Sequence, residues 1–238
     1  MSGTLQLTGS RKINLKLSTE NASTARKTFR YIKDLFQINT HVGVRKNSRL
    51  KKNNYYILVI TSSMGSNIIM EKVGILDTCD NTFNITHKIP RKLLVNNCCK
   101  RAYIRGAFLG GGSISAPQKT YHLEFVTNSA DHSEDLKNLI NEFGLNSKIV
   151  IRKGSYVIYI KEGDQVVDLL NIIGAHKALL DLENIRIYKQ IRNDINRIVN
   201  CETANLTKTV NASVRQIRNI EYIDNTIGVH ELPKNLRE

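Results

Sequence analysis

The chain has 238 residues, 41% of them hydrophobic, which is enough for one large domain or two small ones with real cores. No apolar run approaches the length of a membrane helix, and Met1-Ser2-Gly3-Thr4-Leu5 lacks the basic-then-apolar layout of a secretion signal. Four sparse cysteines, two of them adjacent, speak against a disulfide framework and for reduced thiols in a cytosolic protein, and the net charge of +14 points to a polyanionic partner. That charge is lopsided: residues 1–60 hold 12 Lys and Arg against 2 Asp and Glu, while residues 120–183 hold 6 against 10.

Taken in chain order, the sequence repeats itself. Strict alternation at Ile13, Leu15 and Leu17 predicts a half-buried strand. A helix follows near residues 22–36, with cap candidates in Ser18-Thr19-Glu20-Asn21. Strands at 40–46 and 54–60 form a hairpin around the basic loop 47–53, and a helix at 66–73 ends at Gly74. The same series recurs as a strand at Tyr121, Leu123 and Phe125, a helix at 131–143 with cap candidates in Thr127-Asn128-Ser129, a hairpin of 148–152 with 156–160, and a helix at 164–173 ending at Gly174. The run Phe36 to Lys46 lines up with Phe143 to Lys153, and the turn Ser2–Leu5 with Gly111–Ile114. Only the second copy is preceded by a helix-like segment, residues 98–109, and a matching helix is expected ahead of Met1. In that segment Ala102, Gly106 and Gly110 recur every four residues, a stripe that would let a helix of the other repeat approach closely.

Ile104-Arg105-Gly106-Ala107-Phe108-Leu109-Gly110-Gly111-Gly112-Ser113-Ile114 resembles the motif of the LAGLIDADG homing endonucleases with its Ser-Ile tail. The resemblance implies an α+β fold of pseudo-twofold repeats, in which two antiparallel saddle sheets are covered by helices and lie over duplex DNA. In the endonucleases an acidic residue near the end of each motif helix binds the catalytic divalent metal. The matching position here is Gly111, and Leu109 occupies the motif's other acidic position. Without that carboxylate, metal-assisted phosphodiester cleavage is not expected, and no catalytic residue, metal or cofactor is assigned. The run Asn196-Arg197-Ile198-Val199-Asn200-Cys201-Glu202-Thr203-Ala204-Asn205-Leu206-Thr207-Lys208-Thr209 resembles the WhiA family of sporulation and cell-division regulators. This likeness spans essentially the whole chain. It implies a first repeat with its linker over 1–97, a second repeat over 98–183, and a helical connector over 184–238. The connector is expected to lead to a helix-turn-helix domain lying beyond the chain, its start resembled by residues 231–238.

If Ile13, Leu15 and Leu17 face the core, Lys12, Asn14 and Lys16 share the opposite sheet face, where a saddle meets phosphates. Arg45, Lys46, Arg49, Lys51 and Lys52 are expected to extend that basic surface, whereas the second copy carries His122 and Glu124 at the equivalent place. The expected saddle is therefore asymmetric, although lysines that merely solvate a sheet remain the alternative. The helical stretch 184–199 carries Ile187, Ile191, Ile195 and Ile198 on one face, and its Arg197 is a candidate DNA contact. Asn205, Lys208 and Arg215 join the candidates from the family run.

Other chemistries find no support. The glycine run is followed by no Lys-Ser/Thr, the six histidines lack metal-ligand spacing, and no Cys-x-x-Cys occurs. The resemblance implies a cytoplasmic, nucleoid-associated, non-catalytic transcription regulator that binds double-stranded DNA and acts in sporulation, cell division and chromosome segregation. A homing endonuclease or RNA maturase, and a protein-interaction scaffold, remain the alternatives.

Overall fold

The computed structural model of the chain describes residues 2–7, 13–46, 54–77 and 84–236. Its elements repeat in the order strand, strand, helix, strand, strand, helix. In the first copy these are β1 (Ser2–Leu7), β2 (Ile13–Thr19), α1 (Ala22–Phe36), β3 (His41–Lys46), β4 (Asn54–Ile60) and α2 (Ser66–Lys72). A two-stranded ribbon, β5 (Leu76–Asp77) with β6 (Asn84–Ile85), leads to α3 (Asn97–Gly111). The second copy runs β7 (Gly112–Ile114), β8 (Leu123–Thr127), α4 (Ala130–Asn141), β9 (Lys148–Arg152), β10 (Ser155–Ile160) and α5 (Gly163–Ile172), and α6 (His176–Thr226) follows.

Both copies close into antiparallel sheets of one topology, β1-β2-β4-β3 and β7-β8-β10-β9. The segments expected to be turns, at 2–5 and 111–114, lie instead in or at edge strands, β1 pairing with β2 and β7 with β8. The registers also match: Lys16 pairs with Val59 as Glu124 pairs with Tyr159, and His41 pairs with Val59 as Lys148 pairs with Tyr159. The cap candidates do their expected work. The Asn21 carboxamide accepts from the Ser23 and Thr24 amides at 2.8 and 3.1 Å, and Ser129 Oγ accepts from the His132 amide at 3.3 Å. Gly74 and Gly174 both adopt a left-handed φ and end their helices.

The two cores differ in size. In the second copy Ile104 of α3 is fully buried among Leu123, Phe125, Leu136, Ile140 and Leu169, and each such side chain contributes about 1.5–3 kcal/mol. The first copy holds a smaller cluster of Ile32, Ile38, Ile60 and Ile69, and a separate one of Ile13, Met70 and Leu76. Side-chain hydrogen bonds fasten β2 to the α2 region: Ser66 Oγ donates to the Ile13 carbonyl, and the Ser62 amide donates to Asn14 Oδ1 at 3.0 Å. The Ile89 amide donates to Asp135 Oδ2 at 2.9 Å, tying the linker to α4.

The chain falls into two compact units, Met1–Leu182 and Glu183–Glu238. Leu179 and Leu182, near the start of α6, belong to the core of the first unit. The connector over 184–238 was expected to be helical, with its clearest pattern at 184–199; α6 starts earlier, at His176, and runs unbroken to Thr226, as no Gly or Pro stands between Gly174 and Gly228. No helix among the described residues is long and apolar enough to cross a membrane.

Candidate nucleic-acid interface

Alternation along the strands sorts each sheet into a core face and an open face. In the first sheet Ile13, Leu58 and Ile60 are buried on the core side, with Leu15 and Leu17 packed beside them. Asn14 and Lys16 of β2 therefore lie on the open face. Through the pairings of Lys16 with Val59, His41 with Val59 and Arg45 with Tyr55, so do His41 and Arg45. Lys16 is half-buried and Arg45 exposed, and neither forms an ion pair among the described residues. Lys46 follows Arg45 and so falls on the other face, where the expectation of one continuous basic surface does not place it. Lys12, Arg49, Lys51 and Lys52 lie outside the described residues.

At the same fold position as Lys16, the second sheet carries Glu124. Its carboxylate is ringed by donors: His122 Nε2 at 3.1 Å, Ser113 Oγ at 3.2 Å and Arg152 Nη1 at 3.5 Å. The His122 hydrogen bond above all, with help from Ser113 and Arg152, holds the Glu124 carboxyl below its ordinary value despite partial burial. The His122 ring stacks on Tyr159, with centroids 5.9 Å apart. Arg152 corresponds to Arg45, but here the arginine faces a carboxylate. One sheet thus offers a phosphate two cations without an ion pair among the described residues, and the other a carboxylate-centred cluster of Glu124, His122 and Arg152 beside the exposed Lys148. Ser113 and Tyr159 were not anticipated as parts of this cluster. Their signal in the sequence is register: Ser113 and Tyr159 both pair directly with Glu124.

The motif helix α3 is present and buries Ile104, while Arg105 Nε donates to the Ile173 carbonyl at 2.6 Å. The stripe Ala102, Gly106 and Gly110 was expected to receive a helix of the other repeat. No helix precedes β1 among the described residues, Ala102 and Gly106 are exposed, and a Cβ added at Gly106 or Gly110 would meet nothing within 4 Å. Gly111 differs in kind. A Cβ there would stand 2.5 Å from the Val126 carbonyl oxygen, so Gly111, which the sequence resemblance aligns with the endonucleases' metal-binding acid, is closed to any side chain unless backbone moves.

Beside this junction is a cleft of about 530 Å³, lined by Glu20, Asn21 and Tyr55 of the first repeat and by Phe108, Leu109 and Gly112 of the second. Among the described residues Glu20 is the single carboxylate lining it. A hydrogen bond to Glu20, together with its charge, raises the pKa of the Tyr55 hydroxyl. One engaged carboxylate does not make a divalent-metal site, and no group of three or more His, Cys, Asp or Glu suited to a metal exists among the described residues. The residues present do not fit the metal that cleavage by this fold requires.

In the second unit, Arg197, Lys208 and Arg215 are exposed and share one side of α6, since intervals of 11 and 7 residues bring a helix back to nearly the same bearing. Asn205 stands off that line, its Nδ2 3.8 Å from Cys201 Sγ. Ile191, Ile195, Leu206, Val210, Ile217 and Ile220 lie exposed on the opposite side.

Comparison with known proteins identifies this arrangement. Three family models match: the WhiA N-terminal LAGLIDADG-like domain over residues 1–76, the WhiA LAGLIDADG-like domain over 100–192, and the WhiA C-terminal HTH domain over 195–238. The helix-turn-helix match thus begins within α6, inside the stretch read from sequence as a connector. The chain is 64% identical over 238 residues to the probable cell division protein WhiA of Alkaliphilus metalliredigens, covering 100% of this chain and 75% of that relative. It is 55% identical over 238 residues to the protein of the same description from Clostridium botulinum, with the same coverage. Among solved structures, full-length DUF199/WhiA from Thermatoga maritima matches with a TM-score of 0.62 at 22% identity, over 98% of this chain and 72% of that one. The N-terminal LAGLIDADG domain of DUF199/WhiA matches with a TM-score of 0.51 at 18% identity, over 73% of this chain and 75% of that one. The chain belongs to the WhiA family.

Proposed function

We propose that the chain is a DNA-binding transcription regulator that acts without catalysis, serving cell division together with sporulation and chromosome segregation, in the cytoplasm at the nucleoid. The observation that carries this reading is the helix-turn-helix match over 195–238, which falls on a helix presenting Arg197, Lys208 and Arg215 along one side. Cations so placed can neutralise phosphates spaced along a duplex. The open face of the first sheet supplies a second basic surface through Lys16 and Arg45. The second sheet, where Glu124 offsets Arg152 and leaves Lys148 as the exposed cation beside them, adds a weaker attraction. We read the chain as two saddle repeats, 1–97 and 98–183, followed by a helical segment, 184–238. The closure of position 111 to any side chain supports the absence of cleavage, as does the "cell division" description of the relatives.

A gel-shift titration of the chain with duplex DNA at several salt concentrations, with and without magnesium, tests this. Retardation that weakens steeply with salt, with no nicked product in magnesium, is expected. Nicking would replace the reading with an enzyme. Absence of retardation at low salt would favour a protein-interaction scaffold.

A further inference from the structure

The two repeats share a topology but not a surface, and the difference is sharpest between α1 and β3. The helices α1 and α4 are each followed by a left-handed residue, Gln37 and Gly144. Aligned on these, Phe29 matches Leu136, Arg26 matches Ser133, and Lys33 matches Ile140. In the second repeat Ser133, Leu136 and Ile140 are all buried under α4, and Ile149 of β9 packs against the same core. In the first repeat the corresponding residues line an open groove of about 650 Å³. Its floor is Ala25, Phe29, Leu58 and Tyr56, with Val42 and Val44 of β3 left 55% and 60% exposed. Its rim is Arg26, Arg30 and Lys33, opposed by Asp34 alone. None of these three cations forms an ion pair among the described residues.

The groove lies against an edge strand. β3 is last in its sheet, so one side of its backbone has no strand partner among the described residues. An edge strand beside a helix, with an apolar floor between them, suits an extended peptide. Its backbone completes the ladder on β3, and alternate side chains drop onto the floor. The charge of the rim selects among peptides. A basic segment would be repelled by Arg26, Arg30 and Lys33, whereas glutamates or aspartates would pair with them. The surface is separate from the open face of the sheet, since Val42 and Val44 point away from the side that carries Lys16 and Arg45.

We infer that the α1–β3 groove of the first repeat is a docking site for an acidic segment of a partner protein, which binds extended, as a fifth strand on β3, with aliphatic side chains in the groove. This site is independent of DNA binding and gives the chain a means of recruiting another protein while its basic surfaces engage nucleic acid.

The test uses the whole chain and a fluorescein-labelled peptide about eight residues long, an ordinary strand length, alternating glutamate with valine. Anisotropy should show binding, and a lysine–valine peptide should not bind. Reversal of the rim, Arg26→Glu with Arg30→Glu and Lys33→Glu, should weaken the glutamate peptide about tenfold, as the loss of three exposed pairs predicts, with the thermal melt unchanged. Two probes N-methylated at alternate residues settle the binding mode. One should lose binding, because its methyls face the β3 ladder, and the other should keep it. Amide exchange in β3 should slow when the peptide binds. Equal binding of both methylated probes, or of the lysine peptide, overturns the proposal. So does finding that the rim substitutions abolish duplex-DNA binding or a concentration-dependent dimer while leaving peptide binding unaltered, which would assign the groove to nucleic acid or to a second copy.

Discussion

The opposite charges of Lys16 and Glu124 at one fold position permit a quantitative test of the saddle's polarity. Lys16→Gln removes one free cation from the first sheet. Glu124→Gln removes the carboxylate that faces Arg152 at 3.5 Å, and the amide that replaces it keeps an oxygen for Ser113 and His122. Arg152, with 58% of its side chain exposed, is then released toward a phosphate. Each phosphate neutralised on duplex DNA changes the slope of log affinity against log salt by about 0.9, so a fourfold rise in salt separates one contact more from one contact fewer by about threefold per contact. The Lys16 variant should therefore show a slope shallower by about 0.9, the Glu124 variant one steeper by about the same, and the double variant should return near the parent.

The assay is anisotropy of a labelled duplex of arbitrary sequence, titrated between about 50 and 200 mM salt, where counterion release dominates non-specific affinity. An arbitrary sequence is the right probe, because phosphate contacts carry no base information. Folding is not at stake: an ion pair whose arginine is mostly exposed, such as Glu124–Arg152, contributes about 0–1 kcal/mol, and Lys16 forms no ion pair among the described residues. Identical slopes in parent and variants would refute the reasoning, as would both single variants moving in the same direction. In either case the sheets would not meet DNA as a polarised pair.

Three further outcomes follow from individual residues. Gly106→Ala should raise stability by about 1 kcal/mol, because it replaces a helix-interior glycine whose Cβ meets nothing, whereas Gly111→Ala should lower it by about 1–3 kcal/mol through its collision with the Val126 carbonyl; urea unfolding of the two variants reads both signs. His132, which shares a 3.0 Å hydrogen bond with the Tyr103 hydroxyl, has its pKa lowered by burial, so the unfolded chain takes up this proton first and stability falls as pH drops below about 6.5. His132→Gln should flatten that decline in denaturant midpoints, while Tyr103, pushed up to about 12 by burial, stays un-ionised throughout. Replacing Arg197, Lys208 and Arg215 together with Gln should reduce the salt slope of duplex binding by about 2–3 units, and an unchanged slope would remove α6 from the interface.

The repeat itself was legible because its signals are local. Alternation at Ile13, Leu15 and Leu17 and at Leu123 and Phe125 fixes which face is buried, and Asn21, Ser129, Gly74 and Gly174 mark helix ends by chemistry that acts within a few residues. The charge inversion between Lys16 and Glu124 was legible for the same reason. What escaped the sequence was non-local. The contact that closes position 111 comes from Val126 of β8, and no spacing rule reports it. Residues 2–5 and 111–114 were read as turns because glycine and serine are turn formers, but pairing with β2 and β8 overrides that preference. The helical character of 184–238 was legible from the absence of Gly and Pro up to Gly228, but that it forms one unbroken helix with the segment from His176 was not, because the asparagines and threonines between residues 200 and 211 interrupt its amphipathic pattern.

Duplication also explains how one fold carries two roles, and this has a dynamic consequence. Where α4 gives Leu136 and Ile140 to the core, α1 gives Phe29 and Lys33, the second of them exposed, so the first repeat forgoes burial that the second keeps. Fully burying an aliphatic side chain contributes about 1.5–3 kcal/mol, so one such position is a large fraction of what holds a small repeat closed. The cores agree: among the described residues, sixteen buried side chains from Ile89 to Leu182 form one continuous cluster around the second sheet, while seven of the first repeat fall in two small clusters. Opening free energy need not be uniform across a unit, and it should follow this burial. Native-state hydrogen exchange is therefore expected to show amides of β4 exchanging through openings of lower free energy than amides of β10, their equivalents in the second sheet. Rim substitution toward the second repeat's pattern, Lys33→Ile, should narrow the gap by strengthening the first core. If β4 and β10 exchange at the same global free energy and Lys33→Ile moves neither, the two halves unfold as one, and the open groove beside α1 costs the first repeat nothing.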